Sequence, residues 1–142
     1  MTRYVSAALR LLVAERAFEY CEYCRLPQMA AIARHHIEHI VSLKHGGRTT
    51  EENLALACPF CNEQKGTDVG SFDFQTDGAL TRFFNPRKDV WTKHFQVSES
   101  GVIKSLTSEA RVTVKISFAA VSLPLSSRCQ TRPRIGFNAI VR

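Results

Sequence analysis

Apolar residues at helical spacing open the chain. Val5, Leu9, Leu12 and Val13 recur among Arg10, Glu15, Arg16 and Glu19, which predicts an amphipathic helix with those four apolar side chains turned inward. The period then breaks. "CEYC" at 21–24 reads as a tight knuckle, and "RLPQMAAIAR" leads into a strand within "HHIEHIV". "SLKHGGRTTEENL" is a loop in which Gly46 and Gly47 supply a turn. Thr49 and Glu52 have capping-box spacing, which predicts a single helical turn around Asn53. "LALAC" is a short buried strand. "CPFCNEQKG" is a short helix, with Pro59 at its first position and Gly66 at its end.

Further on, "SFDFQTDGALTRFF" alternates around Asp77-Gly78, and "FQVSESGVIKSL" around Ser100-Gly101, so two hairpins are expected. Between them, Asn85 as cap and Pro86 at the first position predict a helix in "NPRKDVWTKHF". Its spacing assigns Trp91 and Phe95 to the core and His94 to the surface. Thr107 and Glu109 open a last helix, and beyond about residue 120 no period is assignable. The 142 residues suggest one small α+β domain. Its parts are an N-terminal helix (1–20), a cysteine-bearing core (21–66), a hairpin and helix extension (67–120) and a basic tail (121–142).

Charge refines this picture. The net charge is +6, yet up to Glu109 the 13 basic and 13 acidic residues balance. Beyond it stand Arg111, Lys115, Arg128, Arg132, Arg134 and Arg142 with no acid. The basic character therefore belongs to the C-terminal stretch, which reads either as the product of a changed reading frame or as an arm for DNA backbone. It is weak support for nucleic-acid binding by the centre of the chain. No apolar run approaches the roughly 18 residues of a membrane span. The first twenty residues lack the uninterrupted apolar centre of a signal peptide. The expectation is a cytoplasmic protein with reduced thiols and no membrane partner.

Four of the five cysteines form two CxxC pairs, Cys21/Cys24 and Cys58/Cys61. Two disulfides, a redox motif or merely buried thiols are the competing readings. A redox site would use one CxxC near a βαβ pattern, which is absent. Two knuckles joined by a loop present four thiolates to one tetrahedral zinc ion, so a structural zinc site is expected. Cys129 has no partner in this scheme.

Four of the five histidines, His35, His36, His39 and His45, fall within 35–45, with Glu38 among them. A lone histidine on an apolar strand is usually structural, and a lone glutamate is usually solvated. Cys61 is followed by Asn62, and side chains one residue apart on a helix diverge by about 100°. A zinc-bound Cys61 therefore fixes Asn62 in another direction, with Lys65 on nearly the same face as Asn62.

"HIEHIVSLKHGGRTTEENLALACPFCNEQKG" resembles the HNH endonucleases, whose core is two strands, a loop and a helix around one divalent metal. The likeness runs from Cys21 to Gly66 and rests on acid-His, GG, Asn-Leu and CxxCN-xx-KG in that order. More loosely, residues 71–95 resemble the segment that follows this motif in bacterial members. The resemblance implies a ββα-metal nuclease core clamped by zinc and acting on DNA. It implies His39 as general base and Asn53 as the asparagine that steadies the histidine. It implies Glu38 and Asn62 as ligands of a catalytic Mg²⁺ or other divalent cation. His36, on the same strand face as Glu38, is a candidate to line the site. His45 and Lys65 are candidates for outer-shell or phosphate contacts. A neutral imidazole can take a proton from water near pH 7, and a hard cation can neutralise the phosphate. In an ideal strand, however, Glu38 and His39 face opposite sides, so the site requires a bend at the strand's end. The rival expectation is a zinc-stabilised nucleic-acid-binding module without cleavage.

Overall fold

The computed structural model describes residues 4–117, so the tail beyond residue 117, Cys129 included, lies outside the described residues. Helix α1 spans Ala7–Arg16 and is capped by the Ser6 hydroxyl, which accepts from the Leu9 N–H at 3.2 Å. Val13 and Ala17 pack with Val5, Leu54 and Leu56, and Leu9 and Ile37 lie against that cluster. Leu12 is 38% exposed, contrary to the expectation from spacing. Only one side of α1 meets the sheet, and Leu12 points about 100° away from Val13.

Strands β1 (His36–His39) and β2 (Leu54–Ala57) pair antiparallel, with His36 opposite Ala57, Ile37 opposite Leu56, Glu38 opposite Ala55 and His39 opposite Leu54. Alternation divides the ribbon. Ile37, Leu54 and Leu56 join the cluster under α1. Ala55 and Ala57, with Ile40 just past β1, join the cysteines, Tyr23, Phe84, Phe95 and Ala110. This second cluster draws on both the cysteine-bearing core and the extension. Helix α2 (Pro59–Lys65) follows β2, with Pro59 in its first turn and Gly66 after its end.

The two hairpins form as expected: β3 (Gly70–Phe72) with β4 (Leu80–Arg82), and β5 (Phe95–Val97) with β6 (Ile103–Ser105). Gly78 and Gly101 take left-handed turns at φ 74° and 79°. Helix α4 (Ser108–Ser117) packs on α2 and on the first hairpin. Its buried Thr113 hydroxyl accepts from the Phe84 N–H at 2.8 Å, and Arg111 holds Asp73 of the hairpin loop at 2.6 Å.

The helix expected from Pro86 is not continuous. The Asn85 side chain does accept from the Arg87 N–H at 2.9 Å, but the result is one turn. Val90 is extended, and α3 covers only Trp91–His94. Tertiary partners override the local signal. Asp89 accepts from the Asn85 N–H and binds the Arg82 guanidinium at 2.5 Å. Arg87 pairs with Glu22, and the Trp91 indole donates to the Tyr23 carbonyl at 2.7 Å, so this segment grips the first cysteine knuckle. His94 is likewise not at the surface. Its side chain is 14% exposed, its Nδ1 pairs with the Thr107 hydroxyl at 2.7 Å, and it meets Phe84 edge-on.

Candidate metal centre and catalytic face

The first knuckle is shaped by local backbone. Cys21 N–H donates to the Leu26 carbonyl at 2.9 Å, Arg25 N–H donates to the Cys21 carbonyl at 2.9 Å, and Arg25 takes φ 63°. The second knuckle is the start of α2, where the Cys58 sulfur accepts from the Cys61 N–H at 3.4 Å. The four sulfurs lie within 4.8 Å of one another and all four residues are buried. Cys24 Sγ and Cys58 Sγ are 3.7 Å apart. Tetrahedral Zn–S bonds of about 2.3 Å place sulfurs roughly 3.8 Å apart, so this donor set fits zinc. Four thiols packed this closely cannot all ionise without a counter-charge. Burial pushes the Cys21 thiol up, hydrogen bonds within the cluster push Cys61 up, and hydrogen bonds from Cys21 and Cys24 pull Cys58 down. A divalent cation removes that conflict by stabilising all four thiolates.

The adjacent face is built by the loop between β1 and β2. Asn53 closes it. Its Oδ1 accepts from the Val41 N–H at 2.9 Å, and its Nδ2 donates to the carbonyls of Val41 at 2.8 Å and Arg48 at 2.9 Å. Gly47 lies under this clamp. A Cβ there would stand 1.8 Å from the Val41 carbonyl oxygen and 2.8 Å from Asn53 Nδ2. The predicted turn at Asn53 is a short 3₁₀ turn, Glu51–Asn53, but no side chain caps it. Thr49 instead meets His39, with its hydroxyl 2.9 Å from Nε2. Asn53 thus acts on the loop backbone, and Thr49 on the imidazole. The sequence expectation missed Thr49 because its spacing to Glu52 matched a cap.

Glu38 and His39 sit in different surroundings. Glu38 is buried at 5% exposure, and its Oε1 accepts from the Tyr23 hydroxyl. Its Oε2 lies 3.6 Å from Lys65 Nζ, and that ammonium donates to the His39 carbonyl at 3.2 Å. Burial pushes the Glu38 carboxyl up to about 7, while Lys65 and then Tyr23 oppose the rise. Burial, followed by the Glu38 charge, pushes Tyr23 well up, so the phenol stays protonated and donates. Lys65 is 2% exposed and faces Glu38. It turns inward because α2 packs that side onto the ribbon. Asn62 on α2 is half-buried. His36 and His45 are exposed, whereas His35 Nε2 meets the Leu26 carbonyl at 2.8 Å.

A catalytic Mg²⁺ retains several waters and needs room for them. The Glu38 carboxylate is buried, bonded to one side chain and neutralised by another. As arranged, Glu38 does not fit the role of ligand to such a cation.

A family model described as HNH endonuclease matches residues 21–68. Residues 21–68 form an HNH domain. The match takes in both cysteine pairs, the β1–β2 ribbon, its loop and α2. Among curated proteins nothing matches the chain. The HNH domain here is a mixed helix and antiparallel-strand unit with a cysteine cluster suited to zinc. No helix among the described residues is long and apolar enough to cross a membrane.

Proposed function

We propose that this protein is an HNH-type endonuclease that hydrolyses phosphodiester bonds in DNA, with His39 as general base. The observation that carries the reading is the HNH match over 21–68 together with His39 at the position the resemblance gives the base, its imidazole bonded to Thr49 in a loop closed by Asn53. In this reading neutral His39 accepts the proton of a water attacking phosphorus, and Thr49 orients the ring. Asn53 acts at one remove, by holding the loop that carries Thr49. Exposed Lys44 and Arg48 on the same loop supply positive charge for backbone phosphates, with exposed His45 beside them. The structural cofactor is zinc on Cys21, Cys24, Cys58 and Cys61. A divalent cation such as Mg²⁺ is the further cofactor the family resemblance implies. The expected ligand pair was Glu38 with Asn62, and the burial of Glu38 supports no step through a cation held there.

That burial also favours a second reading, a zinc-stabilised nucleic-acid-binding module without cleavage. One experiment separates them. Zinc-loaded protein is incubated with supercoiled plasmid and with labelled branched duplex, with and without added Mg²⁺ or Mn²⁺. The nuclease reading expects nicking, reduced about 10²–10⁴-fold by His39→Ala with DNA binding retained. Binding without nicking by the parent protein establishes the module instead. An equally fast His39→Ala variant assigns the base elsewhere.

A further inference from the structure

The two cysteine knuckles each send one buried polar side chain to the same dipeptide. Tyr23 lies between Cys21 and Cys24, and its hydroxyl reaches Glu38. Lys65 lies one helical turn beyond Cys61, and its ammonium reaches both the Glu38 carboxylate at 3.6 Å and the His39 carbonyl at 3.2 Å. The Glu38 and Lys65 side chains are 4% and 2% exposed. We infer that Tyr23, Glu38 and Lys65 form a strut that transmits the zinc-fixed geometry to the backbone of His39, with Lys65 as a positioning residue and Glu38 as the counter-charge of Lys65 rather than a ligand of a catalytic cation.

Three physical points carry this. A buried ammonium requires a buried anion, and Glu38 is the carboxylate beside it. A carboxylate already bonded to a phenol and facing an ammonium, with almost no exposure, has no room for a hydrated cation. The His39 carbonyl is anchored on the inner face, so the imidazole is aimed from a fixed backbone while its tip is held by Thr49. Residues that hold a catalytic group through its backbone matter because displacement by about 1 Å can cost ~10²-fold in rate.

The positioning of a base rests on the nuclease reading, but the strut itself is testable without activity. Zinc-loaded full-length parent, Lys65→Met, Glu38→Gln and the double variant are compared in three measurements. Thermal unfolding midpoints should fall by many degrees in each single variant, since each strands a buried polar partner. The double variant, with no buried charge left, should recover much of the loss. The His39 carbonyl resonance, read through the Ile40 amide, should move in Lys65→Met and in the double variant. If cleavage is present, kcat should fall about 10²-fold in Lys65→Met with KM nearly unchanged. Additive losses in the cycle, or an unmoved His39 carbonyl in folded Lys65→Met, overturn the strut. Should the single variants fail to fold, a folded double variant supports the pairing and an unfolded one overturns it. Restoration of Glu38→Gln to parental rate by added Mn²⁺ returns Glu38 to a cation and also overturns it. A parent protein that never cleaves removes the nuclease reading while the cycle and the resonance still judge the strut.

Discussion

Glu38 and His39 are neighbours in sequence and stand in opposite surroundings. On the inner side of the ribbon, Glu38 is bonded to Tyr23 of the first cysteine knuckle and paired with Lys65, one helical turn beyond the second. On the outer side, His39 is half-buried and is held through a loop whose shape depends on backbone hydrogen bonds to Asn53. The inner side is fixed by the cysteine cluster, suited to zinc, and by charge, the outer side by main-chain closure. The difference shows how one strand can be rigid in its frame and open in its chemistry. The frame is built where water is excluded, and the imidazole stands on the more open side.

The largest expected effect removes the inner support. Cys58→Ser takes away one sulfur of the cluster while leaving a serine hydroxyl able to cap α2. Structural zinc binding is coupled to folding in such sites, so the variant should lose zinc and its cooperative unfolding transition together. Elemental analysis with circular dichroism checks this. A zinc-free variant that unfolds like the parent would show that the ribbon stands without the clamp, and the contrast between the two sides would collapse.

A smaller effect should strike the outer side alone. Gly47→Ala inserts a methyl 1.8 Å from the Val41 carbonyl oxygen, so the loop backbone must shift. Overpacking of this kind costs about 1–3 kcal/mol. Zinc content should stay at the parental level, while any cleavage falls because Thr49 no longer meets His39 in the same place. Urea unfolding, zinc assay and plasmid nicking on one preparation test the separation. Loss of zinc in this variant would mean that loop and clamp are one cooperative unit.

Much of the inner frame was legible from sequence, because its signals are local. Paired CxxC spacing brought four cysteines to one place, Pro59 and Gly66 bounded α2, and Gly78 and Gly101 marked the hairpin turns. The opposition of Glu38 and His39 follows from strand alternation. What escaped was the choice of long-range partner. The position of Lys65 after Asn62 does not reveal that Glu38 and the His39 carbonyl receive its ammonium. Thr49 has the spacing of a helix cap, but the imidazole competes for its hydroxyl. The helix from Pro86 gave way to Arg87, Asp89 and Trp91, each bonded to a residue in another segment. His94 was drawn inward by Phe84 and Thr107, from different elements.

The smallest predicted effect lies away from both sides of β1, where the first hairpin meets α4. The Arg111 guanidinium holds the Asp73 carboxyl at about 2, below the usual aspartate range. Asp73 accepts from Arg111 Nε at 3.0 Å and Nη2 at 2.6 Å. Because the folded value is depressed, the pair stabilises the fold above the unfolded aspartate value of about 3.9, and that contribution is lost as pH falls towards the folded value. Asp73→Asn should therefore lower stability by a nearly constant amount above about pH 5, and the gap to the parent should begin to close below it. Urea titrations of both proteins across this range give the gap directly. Protonation of the zinc thiolates acts on both proteins alike and cancels in the difference. A gap that widens on acidification would mean that Asp73 titrates with a raised value and that the ion pair is not what fastens the hairpin to α4. A gap that closes, with zinc content equal in the two proteins, would establish a pH-sensitive contact in the extension that leaves the clamp and the His39 loop untouched.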